Sequence, residues 1–243
     1  MTVVALRLAG PLQSWGSRSR FVRRETETAP TKSGVLGLVA AARGMRRSDP
    51  LEGLLGLRFG VRLDQPGQLV RDFQTAQRPK REKDGTTSWS SLPLSHRYYV
   101  SDAVYLAVLE GDRELAEGID EAVRSPEFPL YLGRRSCPPA GPVAVGVSEN
   151  DLEGALASLP WMAGTRQQRR HRARTVRLAT VCDADSEEPG GELVRDVPVS
   201  FDPNRRQHAW RSITRGTVEV DNPHGVADAD TGDEHDPMAI LGG

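Results

Sequence analysis

Four guanidinium groups dominate the first stretch of this chain that is capable of chemistry. Arg18, Arg20, Arg23 and Arg24 fall within seven residues, and Thr31-Lys32-Ser33-Gly34 follows just before an apolar run. A loop running into a helix start adds free backbone N–H groups and the positive end of the helix dipole to such side chains, a combination suited to phosphate. Nucleotide hydrolysis is not implied. The phosphate loop GxxxxGK[ST] needs a glycine immediately before its lysine, and Thr31 stands there instead. The competing reading is a solvated loop face.

Two further segments are basic. Residues 166–177, RQQRRHRARTVR, hold six Arg and one His. Such a density repels itself unless it is exposed or neutralised by an anion, and nucleic acid is the obvious partner. The alternative is a basic loop that meets the chain's own acidic end. Residues 77–97 combine Arg78, Lys80, Arg81, Lys83 and Arg97 with Trp89 and His96. Cations can track a backbone while an aromatic ring stacks on an unpaired base. Three separate basic segments in one small protein point to a nucleic acid more firmly than any one of them.

Catalysis has fewer supports. His96, Tyr98, Tyr99 and Lys83 can in principle supply acid, base and charge stabilisation for metal-independent RNA cleavage by a 2′-hydroxyl, and His208 is a second candidate. A lone histidine beside a tyrosine is more often structural or RNA-contacting than catalytic. No His/Asp/Glu set has metal-ligand spacing. Cys137 and Cys182 stand 45 positions apart without a CxxC partner, which argues against a zinc site and a disulfide framework. No metal or cofactor is expected.

These groups must be positioned by a mixed set of elements. Val3–Leu8 reads as a buried strand and is followed by a loop of about twenty residues, long enough to suggest function. Helical spacing predicts a helix over Gly34–Arg43, and Asp49-Pro50-Leu51-Glu52 has the cap, N1 proline and N3 glutamate of a second, short one. Arg58–Asp64 and Leu69–Thr75 flank Gln65-Pro66-Gly67-Gln68, which predicts a β-hairpin. Ala76–Arg97 lacks periodicity and reads as an exposed insertion. A strand over Tyr98–Leu109, an amphipathic helix over Asp112–Arg124 with Leu115, Ile119, Ala122 and Val123 inward, and a strand over Val143–Val147 follow. Beyond them lie a capped helix over Ser148–Leu159 and strands over Val176–Cys182 and Glu192–Val197.

The order strand, helix, hairpin, insertion, strand, helix, strand predicts an α+β, ferredoxin-like fold, the framework shared with RNA-recognition modules. The expected organisation is a domain over residues 1–147 with its insertion at about 76–97, a smaller β-rich C-terminal extension over 148–222, and a disordered acidic tail over 223–243 that includes His224 and His235.

Composition agrees with a nucleic-acid partner. The net charge of −1 conceals an asymmetry, because residues 216–243 carry seven acids and no Lys or Arg. Residues 1–215 therefore hold all 32 basic groups against 26 acids, and 29 of the 32 are Arg. Arginine suits planar, bidentate phosphate contact, although GC-rich codons explain much of the ratio. Hydrophobic residues make up 37%, no apolar stretch approaches the length of a membrane span, and the first residues lack a signal-peptide pattern. The expected location is the cytoplasm.

Five stretches in this order resemble the CasD subunits of type I-E Cascade, the fifth CRISPR-associated (Cas) family. They are LRLAGPLQSWG (Leu6–Gly16), PTKSGVLGLVAAARG (Pro30–Gly44), LVRDFQTA (Leu69–Ala76), YLGRRSCPPAGPV (Tyr131–Val143) and RDVPVSFDPNRRQHAWRSI (Arg195–Ile213). The resemblance implies a modified RNA-recognition fold in a non-catalytic subunit of a hetero-oligomeric ribonucleoprotein. Such a subunit grips the 5′ handle of the guide RNA (crRNA), caps the backbone of the complex, and touches the adjacent backbone subunit and the large PAM-reading subunit. It meets target DNA only indirectly. The family's projecting thumb matches the 76–97 insertion, where Arg78, Lys80, Arg81, Lys83, Trp89, His96 and Arg97 are RNA-binding candidates by their own residue types and not by the resemblance. Its handle-contacting loop and helix start fall on Gln13, Trp15, Arg18, Arg20, Arg23, Arg24, Lys32 and Ser33. In type I-C relatives a subunit of this family cleaves precursor crRNA, so metal-independent endoribonuclease activity is the alternative function. A protein-protein adaptor, its basic segments meeting acidic partner surfaces, is the third.

Overall fold

A computed structural model of the chain describes residues 1–16, 23–184, 191–202 and 204–226. In chain order its elements begin with β1 (Thr2–Ala9), β2 (Leu12–Gln13), β3 (Arg23–Arg24), α1 (Lys32–Ala42), α2 (Glu52–Leu55), β4 (Arg58–Gln65) and β5 (Gln68–Gln74). There follow β6 (Gln77–Arg81), β7 (Thr87–Ser91), β8 (Ser95–Ser101), β9 (Val104–Gly111), α3 (Arg113–Arg124), β10 (Ala144–Ser148) and α4 (Leu152–Ser158). The last are α5 (Thr165–Arg170), β11 (Thr175–Asp183), β12 (Glu192–Ser200) and β13 (Gln207–Asp221). No helix among the described residues is long and apolar enough to cross a membrane.

A single alternation explains why the central sheet is covered on both faces. Along β1, Val4, Leu6 and Leu8 pack with Val35, Val39, Ile119 and Val123 of α1 and α3, while Val3 and Ala5 pack with Leu152, Ala155 and Leu156 of α4. Successive side chains of a strand point to opposite faces, so an unbroken apolar run is what a doubly covered strand requires. The sheet has seven strands in the order β10-β1-β9-β4-β11-β13-β12, all neighbours antiparallel. The region over 148–222 thus continues the same sheet through β11, β13 and β12. The 15-residue strand β13 has no counterpart among the strands expected from periodicity, because its buried residues, Ile213 and Val220, are separated by exposed Arg215, Gly216 and Thr217.

The hairpin expected between residues 58–64 and 69–75 does not form. The chain turns a corner at Pro66-Gly67, and β4 pairs with β9 while β5 pairs with β8 in a second, four-stranded sheet. The expected strand Tyr98–Leu109 breaks at the matching place, where Asp102 adopts a left-handed conformation (φ 55°). A Cβ on Gly67 would lie 2.3 Å from the Ser101 carbonyl oxygen, so the two chains pass too closely there for any side chain. The pairing Gln65↔Val104, Gln68↔Ser101, Gln74↔Ser95 and Gln77↔Ser91 carries one antiparallel ribbon through the corner and out to a turn beyond Arg81↔Thr87. The insertion is therefore a β-thumb rooted at Gln68, earlier than residue 76. Its first strand is exposed throughout, and it lacked apolar periodicity because neither face is covered.

Helix boundaries shift for local reasons. α1 starts at Lys32 because Thr31 caps it, its Oγ1 accepting from Gly34 N at 3.2 Å, an interaction worth about 1 kcal/mol. Asp49 does not cap α2. Its carboxylate accepts from Arg46 N at 2.7 Å and closes the preceding turn, leaving Leu51 at the cap position. The described chain stays packed past residue 222, since Val226 N donates to Arg172 O at 2.9 Å. Of the expected tail, residues 227–243 with His235 lie outside the described residues.

Candidate nucleic-acid interface

The arginine loop is clamped at its base. Trp15 N donates to Thr26 Oγ1 at 2.8 Å, and Glu27 N donates to Trp15 O at 2.7 Å. The indole is fully buried and donates Nε1–H to Gln13 Oε1 at 3.1 Å. Gln13, equally buried, donates in turn to the carbonyls of Leu8 and Ala103. Gln13 and Trp15 are thus interior supports, which corrects their placement among RNA-facing groups. Their polar atoms are already paired and no surface remains for a ligand.

Lys32 and Ser33 are corrected for the same reason. Lys32 is buried, with Nζ 2.8 Å from Asp183 Oδ2, and its backbone N–H donates to Asp196 Oδ2 at 2.8 Å. Arg211 completes the set, with Nε 2.6 Å from Asp196 Oδ1 and Nη1 2.5 Å from Asp183 Oδ1. The positive end of α1 does hold an anion, and it is a carboxylate of the protein. Ser33 Oγ lies 3.5 Å from Thr31 Oγ1 in the same interior.

The exposed cations gather instead at the thumb root. β3 runs parallel to β8, placing Arg23 opposite His96 and Arg24 opposite Arg97. β5 flanks β8 on its other side, with Phe73 opposite His96, Asp72 opposite Arg97 and Arg71 opposite Tyr98. Arg23 Nη2 donates to Tyr98 Oη at 3.4 Å, and its guanidinium sits 6.0 Å from the ring centre. That hydrogen bond, with the charges of Arg23 and Arg71, pulls the Tyr98 phenol below its ordinary value. Arg134 lies 4.9 Å over the Tyr99 ring and donates to the carbonyls of Tyr98 and Arg24 at 3.2 and 2.8 Å. Its loop is held where Gly133 (φ 83°) passes the Ser14 carbonyl so closely that a Cβ would overlap it.

Among the described residues, His96 Nδ1 and Arg97 Nε, on opposite faces of β8, have no hydrogen-bond partner. Phe73 is 63% exposed beside His96.

Further out, Arg78, Lys80, Arg81 and Lys83 are exposed and Trp89 is 66% exposed. Strand alternation sets Arg81 and Trp89 on one face of the thumb and Arg78 and Lys80 on the other. Lys80 is partly neutralised by Glu82, 3.2 Å away. Arg18 and Arg20 lie outside the described residues. Sequence reasoning missed Arg71, Phe73 and Arg134. The first two stand in a strand whose pairing with β8 only the fold reveals, and Arg134 acts from 110 residues away on Arg24.

The model of the CRISPR-associated protein (Cas_Cas5) family matches residues 3–214. The chain belongs to that family. It is 32% identical over 175 residues to the CRISPR system Cascade subunit CasD of Escherichia coli (strain K12), covering 65% of this chain and 77% of that protein. A solved structure described as a CRISPR RNA-guided surveillance complex contains a similar chain, with TM-score 0.75 and 30% identity, covering 94% of this chain and 95% of that one. A crystal structure of a Cas protein gives TM-score 0.68 at 35% identity, over 92% and 97% of the two chains. A mixed fold of many strands and few helices is thus common to this chain and other Cas proteins, and its homologues serve in Cascade and surveillance complexes.

Proposed function

We propose that this family member is the crRNA-binding subunit of a type I-E Cascade complex, holding the 5′ handle at the thumb root without cutting it. The observation that carries the reading is the one face of the thumb root on which Arg23, Arg71, His96, Tyr98 and exposed Phe73 stand side by side. Splayed bases stack on aromatic rings and guanidinium planes, and a hooked single strand offers both bases and phosphates to such a surface. The strand order β10-β1-β9-β4 supports it: numbered among themselves these are strands four, one, three and two of a split βαβ pair, the ferredoxin-like arrangement used by RNA-recognition modules. The proposed partners are the adjacent backbone subunit, the large subunit and, through them, target DNA. Exposed Leu69, Phe73, Leu92 and Leu94 along the thumb, and Leu193, Val199 and Trp210 at the far sheet edge, supply apolar surface for such neighbours. The cytoplasm is the proposed location.

Metal-independent cleavage is the second reading, and the lowered phenol of Tyr98 is what favours it. His96 shares that tyrosine's face of β8, whereas Lys83 and His208 do not join them. Lys83, at the thumb tip, is ten residues beyond the Phe73↔His96 pair, roughly 30 Å of strand. His208 lies in β13 of the other sheet.

Mapping RNA crosslinks on the assembled complex tests the assignment. Crosslinks from handle nucleotides to β3, β5, β8 and Trp89 are expected, with repeat RNA left intact by the purified protein in EDTA. Handle crosslinks confined to other subunits, or a single cut abolished by a 2′-deoxy substitution, would contradict it.

A further inference from the structure

The arginines of residues 166–177 are absent from the thumb root and have no place in the function proposed above. All six, Arg166, Arg169, Arg170, Arg172, Arg174 and Arg177, are exposed, and among the described residues none forms an ion pair. On α5, Arg166, Arg169 and Arg170 stand at the i, i+3, i+4 positions of one helix face. Along β11, Val176 and Leu178 are buried with Trp161, so Arg177 points to the opposite sheet face, across from Glu219, and stands apart from the other five. We propose that the surface carrying those five is a second nucleic-acid site, which binds the sugar-phosphate backbone without reading sequence.

The first argument is that the array is held in place against its own repulsion. Buried Asn222 reaches back under the segment, its Nδ2 within 3.1, 2.6 and 3.1 Å of the carbonyls of Gln168, His171 and Ala173. Its backbone N–H donates to Arg174 O at 2.7 Å. Gln168 Nε2 donates to Trp161 O at 2.7 Å, and His171 stacks edge-on against Trp161 at 5.4 Å. Below that, Trp161 Nε1 donates to Asp64 O at 2.6 Å, and Met162 N donates to Asp64 Oδ2 at 2.6 Å. Carbonyls are therefore gathered inward on a polar clamp while the side chains of Arg166, Arg169, Arg170, Arg172 and Arg174 stay exposed. A like-charge array that the fold keeps rigid is pre-organised for a polyanion.

The second argument concerns the kind of anion. Arginine is the residue for bidentate phosphate contact, and the segment contains no lysine. A protein partner needs a desolvated apolar or aromatic centre. Among the described residues, none of the large exposed apolar side chains falls within residues 164–177, and Val226 stands at the margin, its N–H on Arg172 O. The place is also fitting: Gly164 N donates to Gln65 Oε1 at 3.1 Å, so α5 begins beside the corner where the thumb leaves the sheet. A strand following this surface would flank the thumb base without occupying the thumb root.

The test uses the full chain and two 30-residue probes that lack repeat sequence, a duplex DNA and a single-stranded RNA, in salt titrations read by fluorescence anisotropy. Two independent variants are compared with the unaltered chain: Arg166→Ser/Arg169→Ser/Arg170→Ser and Arg172→Ser/Arg174→Ser. Each is expected to weaken binding about tenfold or more at low salt and to lower the salt slope by roughly 0.7–0.9 for every phosphate it no longer neutralises. A loss on duplex DNA identifies the ligand as a duplex, and a loss on RNA identifies a single strand. Unchanged affinity and slope on both probes, in a variant with an unaltered melting temperature, would overturn the proposal. Because the probes carry no handle, this result is independent of whether the thumb root binds one.

Discussion

Lys32 Nζ lies 2.8 Å from Asp183 Oδ2 in the protein interior. This one ion pair changes the meaning of the Thr-Lys-Ser-Gly stretch. The cation and the helix N-terminus are real anion-binding groups, but Asp183 and Asp196 satisfy them, and Arg211 joins both acids. The network ties the start of α1 to β11, β12 and β13, so it fastens the C-terminal strands to the first helix.

Lys32→Ala should therefore act on stability and leave RNA affinity unchanged. Removing one partner of a buried pair costs about 3–5 kcal/mol, and Asp183 keeps Arg211, which places the loss near the lower end. Denaturant unfolding of the variant beside its RNA salt slope checks both halves; a changed slope would return Lys32 to the RNA-contacting set.

Arg62→Ala should cost more. Arg62 and Asp64 are wholly buried, and all five guanidinium N–H groups have acceptors: both Asp64 oxygens and the carbonyls of Leu156, Leu159 and Pro160. Its loss strands a buried carboxylate, so about 4–5 kcal/mol is expected in the unfolding free energy.

How far the sequence discloses such features depends on range. Val3–Leu8, Leu38, Ile119 and Val123 announce their elements because the periodicity that betrays them is local. The Asp183 and Asp196 partners of Lys32 lie more than 150 positions downstream, and nothing in TKSG distinguishes a phosphate from a carboxylate. The corner at Pro66-Gly67 reads as a hairpin turn because the local signal is the same, and only the pairing of β5 with β8 decides otherwise. The basic clusters are legible as charge, yet which cations stay free depends on the fold: Lys32 is paired inside, whereas Arg23 and Arg71 meet over Tyr98.

Both cysteines should resist alkylation in the folded chain. Cys182 is buried among Val108, Leu152 and Leu156, and burial, with the nearby Glu153 charge, pushes its thiol up to about 11. Burial raises Cys137 as well. At pH 7.5 the thiolate fraction of Cys182 is below about one in a thousand, so iodoacetamide should label it only after unfolding. Rapid labelling of native protein would contradict this.

His208 gives a pH signature. Partial burial, then the charge of Arg206, holds its imidazole below the ordinary 6.5, against a smaller upward pull from Asp196. The unfolded chain therefore binds the proton more readily, and stability present above pH 6.5 is lost as pH falls towards and through the lowered folded value. His208→Gln should lose less stability than the unaltered chain between pH 7 and 5. Parallel curves would exclude the contribution.

The central claim is that the thumb root holds the guide RNA handle. Equilibrium binding of RNA with and without the repeat-derived 5′ handle, across a salt series, tests it most directly in the unaltered chain and in Arg23→Ala/Arg71→Ala. The account predicts that the unaltered chain prefers the handle RNA, and that the variant loses this preference with a salt slope lower by about 1.4, at ~0.7 for each of two phosphates. Equal affinity for both RNAs in the unaltered chain, or an unchanged slope and preference in the variant, would contradict it.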